Sequence, residues 1–106
     1  MDKTKILLIC GGGASSGFMA ANIRRAVIKR GLPFEVDARS ESEIDQLLPE
    51  IDCLMLAPHL KYLYEDLQQR CKVNKVKVAV MSPTYYGIID GERALDHIVY
   101  VLKKED

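Results

Sequence analysis

Four short β-rich runs, each followed by a helical pattern, constrain the fold of this chain more than any other feature. In residues 5–10 and 52–57 every position after the first is apolar, as expected of strands covered on both faces of a parallel sheet. Residues 34–39 and 76–80 alternate between apolar and polar side chains, which is typical of strands with one wet face or at a sheet edge. The apolar runs therefore belong in the centre of a sheet and the alternating runs at its edges.

Helical patterns with one apolar face connect these runs. They cover residues 16–29 and 92–103, a short helix after a capping box at Ser40 to Glu43, and a helix that starts with Pro58 in its first turn. Strands that alternate with helices imply a parallel sheet with right-handed crossovers. The sequence thus predicts an α/β fold: a three-layer open sheet of four parallel strands, order 2-1-3-4, with helices on both faces. The 106 residues fit a single domain, 1–106.

The segment between the first strand and the first helix is the candidate site. The predicted strand order places Cys10 at the switch point beside strand 1, beyond the carboxyl ends of the strands, where ligands of such sheets bind. Consecutive glycines make poor strand and poor helix, but they let several backbone N–H groups face one anion. The predicted phosphate-binding loop consists of Gly11, Gly12, Gly13, Ala14, Ser15, Ser16 and Gly17.

The helix that follows this loop should strengthen anion binding and activate the cysteine. Its N-terminal amides and dipole favour negative charge, and Ser15 and Ser16 can cap the helix or donate hydrogen bonds to a phosphoryl oxygen. The same positive end favours the thiolate form of Cys10, which is the nucleophilic form. Another interpretation is that Cys10 only ends a buried strand and that the glycines form a tight turn.

Several other kinds of site do not fit the residues. A thiol phosphatase of the low-molecular-weight kind needs C-x5-R, but Ser16 stands six positions after Cys10 and the first arginine is Arg24. A dinucleotide site needs G-x-G-x-x-G, and Ser16 takes the place of the third glycine. A receiver domain needs an acidic residue where this strand ends in Cys10. A dithiol oxidoreductase needs a second cysteine near Cys10, and none is present.

Charge and cysteine content exclude further classes. Fifteen basic and fifteen acidic residues give no reason to expect nucleic acid or an anionic membrane as a partner. Three cysteines without C-x-x-C or zinc-ligand spacing indicate neither a disulfide framework nor a metal site, and no cofactor is expected. No apolar run is long enough to span a bilayer or to form a secretory signal.

Three motifs in order resemble a known family. Besides the Cys10 loop, these are Ala-Pro-His-Leu at 57–60 and Tyr-Gly-Ile-Ile-Asp-Gly at 86–91. Along essentially the whole chain, the sequence resembles the IIB component of the lactose/cellobiose (chitobiose) family in the phosphoenolpyruvate-dependent sugar phosphotransferase system. Gly11, Gly12 and Gly17 stand where relatives often have Ser, Ala or other side chains, so amide contacts are expected to dominate the loop here.

The resemblance implies a phosphotransferase that works through a phosphocysteine. In that family, a IIA phosphohistidine passes its phosphoryl group to the IIB cysteine, which passes it to a sugar held by the membrane transporter IIC. Carried onto this chain, Cys10 is the phosphorylated nucleophile, and IIA and IIC are its partners. A cytoplasmic chain, monomeric in isolation and associated with the inner face of the membrane through IIC, is expected. The family indicates a disaccharide such as cellobiose, chitobiose or lactose without choosing among them.

Residues near the rim of the site are candidates for partner contacts. Phe18 lies off the apolar stripe of its helix, and His59, Tyr85 and Tyr86 follow strands 3 and 4. Each has a plainer interpretation: His59 as a surface or capping residue, and one of the two tyrosines as a packing residue. The basic face formed by Arg24, Arg25, Lys29 and Arg30 is either solvated or steers an acidic partner. Cys53 and Cys71 are expected in the core.

Two alternatives to the carrier remain at this point. The first is a thiol phosphatase on a similar fold, against which the missing arginine argues. The second is a non-catalytic regulator that senses phosphorylation by binding another protein. The loop does not distinguish a regulator from a carrier, since a phosphorylated Cys10 would serve either one.

Overall fold

A four-stranded parallel sheet forms the centre of the molecule. The computed structural model describes residues 3–9 and 15–104. The strands are hydrogen-bonded in the order β2-β1-β3-β4, all parallel, so the predicted order and the predicted edge strands are confirmed. The strands are β1 (Thr4–Ile9), β2 (Phe34–Arg39), β3 (Cys53–Leu56) and β4 (Lys77–Val80).

Helices cover both faces of the sheet, as predicted. One face carries α1 and α5, which pack with Ile6 and Leu8 of β1 in one apolar cluster. The other face carries α2 and α3, which pack with Leu7 and Ile9 in a second cluster. A short α4 follows β4. The helices are α1 (Ser15–Arg30), α2 (Ile44–Leu47), α3 (Tyr64–Val73), α4 (Pro83–Gly87) and α5 (Gly91–Lys103).

The segments that open α2 and α3 are 3₁₀ turns. The predicted capping box is present, with the backbone N–H of Ser40 donating to Glu43 Oε2 at 3.2 Å, and it opens a 3₁₀ turn at Glu41–Glu43. After β3 the sequence predicts an α-helix from Pro58, but Pro58–Leu63 is 3₁₀ and α3 starts at Tyr64. A spacing of three residues between apolar side chains in this segment matches the 3₁₀ repeat and keeps them directed at the core.

Helix α4 is a difference from the prediction, which left residues 83–87 without an element. Ser82 caps it, since the Ser82 Oγ accepts a hydrogen bond from the Thr84 N–H at 3.2 Å, and Pro83 occupies its first turn. Proline suits this position because its missing N–H would have no intrahelical partner there. A helix of five residues is too short to show a helical period, so only the cap and the proline could have predicted it.

Gly31 ends α1 in the left-handed region, with φ of 65°, which L-residues with a Cβ disfavour. We expect Gly31→Ala to lower the free energy of unfolding by about 1 kcal/mol. Gly31→Asn should lose less, because asparagine tolerates this conformation better. Urea unfolding of both variants measures the effect, and equal stability of wild type and Gly31→Ala would contradict it.

Candidate active site

The carboxyl end of β1 lies in the middle of the sheet, between β2 and β3. Ile9 is in register with Arg39 on one side and with Leu56 on the other. The Ala57 N–H donates to the Ile9 carbonyl at 2.9 Å, which continues the ladder to the end of the strand. The described part of β1 therefore ends at the centre of the carboxyl edge, where ligands of open parallel sheets bind. Residues 10–14 lie outside the described residues.

The downstream end of the predicted loop belongs to a helix. Ser15, Ser16 and Gly17 form the first turn of α1, one residue earlier than the sequence predicts. The first N–H groups of a helix have no intrahelical acceptor and point out from its end. They carry the positive end of the helix dipole, so this turn favours an anion placed beyond it. The predicted loop thus connects the centre of the sheet to a helix end of the appropriate sign.

Two of the predicted rim residues meet. His59 is exposed in the 3₁₀ turn after β3, and its ring lies edge-on to that of the half-buried Tyr86 in α4, with centroids 6.4 Å apart and an interplanar angle of 60°. Both residues follow the carboxyl ends of neighbouring strands, on the same edge of the sheet as the end of β1. Phe18, in the first turns of α1, is 63% exposed, which agrees with its position off the apolar stripe.

Of the two tyrosines, Tyr85 is the packing residue and not a rim contact. Its side chain is buried, and its Oη lies 2.6 Å from Nδ1 of His97 in α5. The two rings are edge-on, with centroids 5.8 Å apart. Burial raises the pKa of Tyr85 to about 12 and lowers the pKa of His97 below its ordinary value. The pair is therefore neutral at neutral pH and holds α4 against α5.

Cys53 and Cys71 are core residues, as predicted. Both side chains are fully buried, Cys53 in the cluster under α1 and α5 and Cys71 in the cluster under α2 and α3. Desolvation raises the pKa of Cys53 to about 12 and that of Cys71 to about 11. A thiol becomes a nucleophile only as thiolate, so neither residue can serve as one at neutral pH.

The basic face of α1 is engaged in pairs with acidic, carbonyl or amide groups. Nε of Arg24 donates to the Val36 carbonyl at 2.7 Å and its Nη2 lies 3.2 Å from Asp37. Arg30 pairs with Glu92 and with Asp96. The remaining contacts of this face join Lys29 to Glu92 and Arg25 to Asn22. These pairs favour the interpretation of the face as a solvated surface, and exposed pairs of this kind stabilise the fold only slightly.

Arg39 is a cation near the site, and it lies outside the motifs that predict the site. It ends β2 in register with Ile9, and its Nε lies 3.8 Å from Glu43. Because neighbouring residues in register share a face of the sheet, Arg39 lies on the same face as Ile9, the one covered by α2. The sequence feature that could have identified Arg39 is an arginine at the carboxyl end of the strand next to the central strand.

Two further features of the described residues bear on the kind of site. Across residues 3–9 and 15–104, no three His, Cys, Asp or Glu side chains form a group that could hold a metal ion. Within the same part of the chain, no helix combines the length and the apolar character needed to cross a membrane.

We expect the stability of the fold to fall as the pH drops below about 6.5, the ordinary pKa of histidine. The pKa of His97 is lower in the folded chain than in the unfolded chain, so the unfolded chain binds the proton first and acid favours it. Urea unfolding at pH 7.5 and at pH 5.5 measures this, and His97→Gln should reduce the difference. His59→Gln is the matched control and should keep it. An unchanged pH dependence in His97→Gln would contradict the assignment.

Comparison with known proteins identifies relatives along most of the chain. Residues 5–97 match the family model described as the lactose/cellobiose-specific IIB subunit of the PTS system. The galactose-specific EIIB component of the PTS system of Lactococcus lactis subsp. cremoris is 26% identical over 99 residues, which cover 89% of this chain and 91% of that protein. The lactose-specific EIICB component of Streptococcus mutans is 29% identical over 96 residues, covering 89% of this chain and 17% of that protein.

The fold also matches a solved structure. The lactose-specific IIB component domain of the phosphoenolpyruvate:carbohydrate phosphotransferase system from Streptococcus pneumoniae superposes with a TM-score of 0.88, covering 96% of this chain and all of that chain. The two sequences are 14% identical. The likeness therefore concerns the fold, including the strand order that places the end of β1 in the middle of the sheet.

Proposed function

The chain belongs to the lactose/cellobiose-specific IIB subunit family of the sugar phosphotransferase system and is thereby a phosphotransferase, and we propose that residues 1–106 act as one carrier domain with Cys10 as the phosphorylated residue. The observation that carries this proposal is the contrast among three cysteines. All three lie within the matched residues 5–97. Cys53 and Cys71 are fully buried with raised thiol pKa values, whereas Cys10 follows the central strand at the edge where ligands bind.

The first transfer brings a phosphoryl group from IIA. The Cys10 thiolate attacks the phosphorus of a phosphohistidine of IIA, a sulfur–phosphorus bond forms, and the phosphorus–nitrogen bond breaks. The electron pair of that bond returns to the imidazole, which leaves as neutral histidine once it has taken up a proton. The backbone N–H groups of residues 11–17 stabilise the charge on the phosphoryl oxygens, and the end of α1 adds its positive dipole.

The second transfer delivers the group to a sugar. A hydroxyl oxygen of a disaccharide held by IIC attacks the phosphorus, the sulfur–phosphorus bond breaks, and the Cys10 thiolate is released while the hydroxyl proton passes to a base. The EIICB component of Streptococcus mutans, whose name joins the two parts in one protein, supports IIC as the acceptor side. The chain then works in the cytoplasm at the inner face of the membrane. The galactose-, cellobiose- and lactose-specific names among the relatives agree with a sugar of this family without choosing one.

The engaged arginines support a carrier over a phosphatase. Arg24, the first arginine after Cys10, lies nine residues beyond Ser15, about 14 Å along α1, and its guanidinium is bonded to Val36 and Asp37 of β2. It therefore cannot grip a phosphoryl group as the arginine of C-x5-R does. A carrier benefits from this arrangement, because stabilising the transition state of transfer to water would waste the group.

The rim around the carboxyl edge is the surface through which both partners would reach Cys10. Phe18 exposes most of its ring, and the His59–Tyr86 pair lies on the neighbouring part of the edge. Exposed aromatic side chains are frequent anchors in protein interfaces. We propose Phe18, His59 and Tyr86 as contacts with IIA and IIC, a docking role that involves no acid–base step.

Intact-mass analysis tests the phosphorylated residue. Incubation with phosphoenolpyruvate, the general phosphotransferase proteins and a matching IIA should add one phosphoryl group to the wild type. Cys10→Ala should gain none, because it lacks the nucleophile. Cys71→Ala is the matched control and should be phosphorylated like the wild type. Phosphorylation of Cys10→Ala, or none of the wild type with any IIA, would refute the proposal.

The lifetime of the phosphorylated chain separates carrier from phosphatase. Isolated from its partners in neutral buffer, the phosphoprotein should persist far longer than it does when a sugar-loaded IIC is added, because Arg24 is held by Val36 and Asp37 and cannot assist transfer to water. Release of inorganic phosphate and loss of the phosphorylated mass over time give the two rates. Rapid release of phosphate from the isolated chain would favour the phosphatase.

A further inference from the structure

Helices α1 and α5 meet backbone to backbone at Asn22 and Gly91. A Cβ built on Gly91 would lie 2.4 Å from the backbone carbon and oxygen of Asn22 and 2.8 Å from its Cβ. Such distances are well inside the contact distance of carbon atoms. Gly91 is buried in the first turn of α5, so a side chain there could be accommodated only by moving one helix away from the other.

The Asn22 side chain strengthens this contact. Its Nδ2 donates to the Ile89 carbonyl at 2.8 Å, and its Oδ1 accepts from Arg25 at 3.0 Å. Ile89 has φ of 53°, in the left-handed region that β-branched residues strongly disfavour. A conformation of this kind persists only where the surrounding structure imposes it. We call Asn22, Ile89 and Gly91 the α1–α5 brace.

The turn that carries the brace is fixed at both ends. The Ile89 N–H donates to the Tyr86 carbonyl at 3.1 Å, and the Asp90 N–H donates to the Tyr85 carbonyl at 2.9 Å. Asp90 also caps α5, its Oδ1 accepting from the Arg93 N–H at 3.1 Å. The turn is thus tied to α4 before it and to α5 after it, so α1 is held against a rigid partner. Tyr86, Ile89 and Asp90 lie in the Tyr-Gly-Ile-Ile-Asp-Gly motif at 86–91.

The brace controls where α1 stands along its own axis. Asn22 lies two turns, about 10 Å, from Ser15. Because a helix of this length moves as a rigid unit, the position of Asn22 along the helix axis sets the position of the first turn. The apolar contacts of α1 with the core are non-directional. Arg24 makes a directional bond to β2, and Arg30 pairs with Glu92 and Asp96 of α5, but both act through long, flexible side chains. The brace joins α1 by backbone contact and a short, half-buried amide, and is stiffer than these pairs.

We propose that Asn22 and Gly91 are positioning residues for the loop that carries Cys10. The loop is anchored upstream by the end of β1 at Ile9 and downstream by the start of α1 at Ser15. By fixing the position of α1, the brace sets the distance between these two anchors and the direction in which the N-terminal amides of α1 face the end of β1. This inference rests on the function proposed above. Misplacement of catalytic groups by about 1 Å can slow a reaction about 100-fold.

Two variants and one matched control test this inference. Gly91→Ala forces α1 and α5 apart, and Asn22→Ala removes the hydrogen bond to Ile89 while keeping a good helix former. Gly87→Ala is the control: it makes the same chemical change four residues before Gly91, where a Cβ meets nothing within 4 Å. Alkylation of Cys10 by iodoacetamide as a function of pH reports on the thiolate, since buried Cys53 and Cys71 should not compete.

The expected result has three parts. In Gly91→Ala the alkylation profile of Cys10 shifts to higher pH, and phosphoryl acceptance from IIA slows at least tenfold while circular dichroism shows a folded chain. Asn22→Ala changes both quantities in the same direction by a smaller factor. Gly87→Ala matches the wild type. Thermal unfolding of each variant gives the loss of stability separately, so the two effects can be compared.

Other outcomes separate the positioning role from the proposed function. If Asn22→Ala and folded Gly91→Ala lose stability but keep the wild-type alkylation profile and transfer rate, the brace is structural only and the inference is overturned. If Gly91→Ala does not fold, Asn22→Ala alone decides by the same criterion. A wild-type chain whose Cys10 is alkylated but never phosphorylated overturns the proposed function, and the alkylation profiles of the variants still decide the positioning role.

Discussion

Burial of β1 and β3 on both faces is the constraint on which the rest of the structure depends. Every second residue of β1 packs under α1 and α5 and the residues between them pack under α2 and α3. Strands enclosed in this way cannot carry polar chemistry along their length, because an unpaired polar group there would be desolvated. Chemistry is therefore confined to the ends of the strands, and the strand order β2-β1-β3-β4 puts the end of β1 at the centre of that edge.

The groups around that edge favour binding of an anionic phosphoryl group without its hydrolysis. The described residues contribute a helix end with unpaired amides and an aromatic rim, whereas Arg24 and Arg30 are directed to acidic or carbonyl partners. Amides that are held in place by the fold stabilise the charge on a phosphoryl group during transfer in either direction. An arrangement of this kind is suited to a group that must be accepted from one protein and surrendered to another.

Patterns that extend over a whole strand or helix predicted the fold. A very short helix and a contact between residues far apart in sequence were not predicted. The contrast between continuous and alternating strands predicted the sheet order, and apolar stripes predicted α1, α3 and α5. Tyr85 and Tyr86 could not be distinguished, because a five-residue helix has no period to show which of two neighbours turns inward. The brace could not be predicted either, since Asn22 and Ile89 are 67 residues apart and an ordinary Asn and Gly give no sign of their contact.

The two buried thiols lie in different layers of the molecule. Cys53 belongs to the cluster under α1 and α5, and Cys71 to the cluster under α2 and α3, so the sheet separates them. Both side chains are fully buried, so a thiol reagent reaches them only in a chain that has opened. A thiol label on Cys53 or Cys71 would therefore be a chemical record that a molecule had been unfolded, whatever its present state.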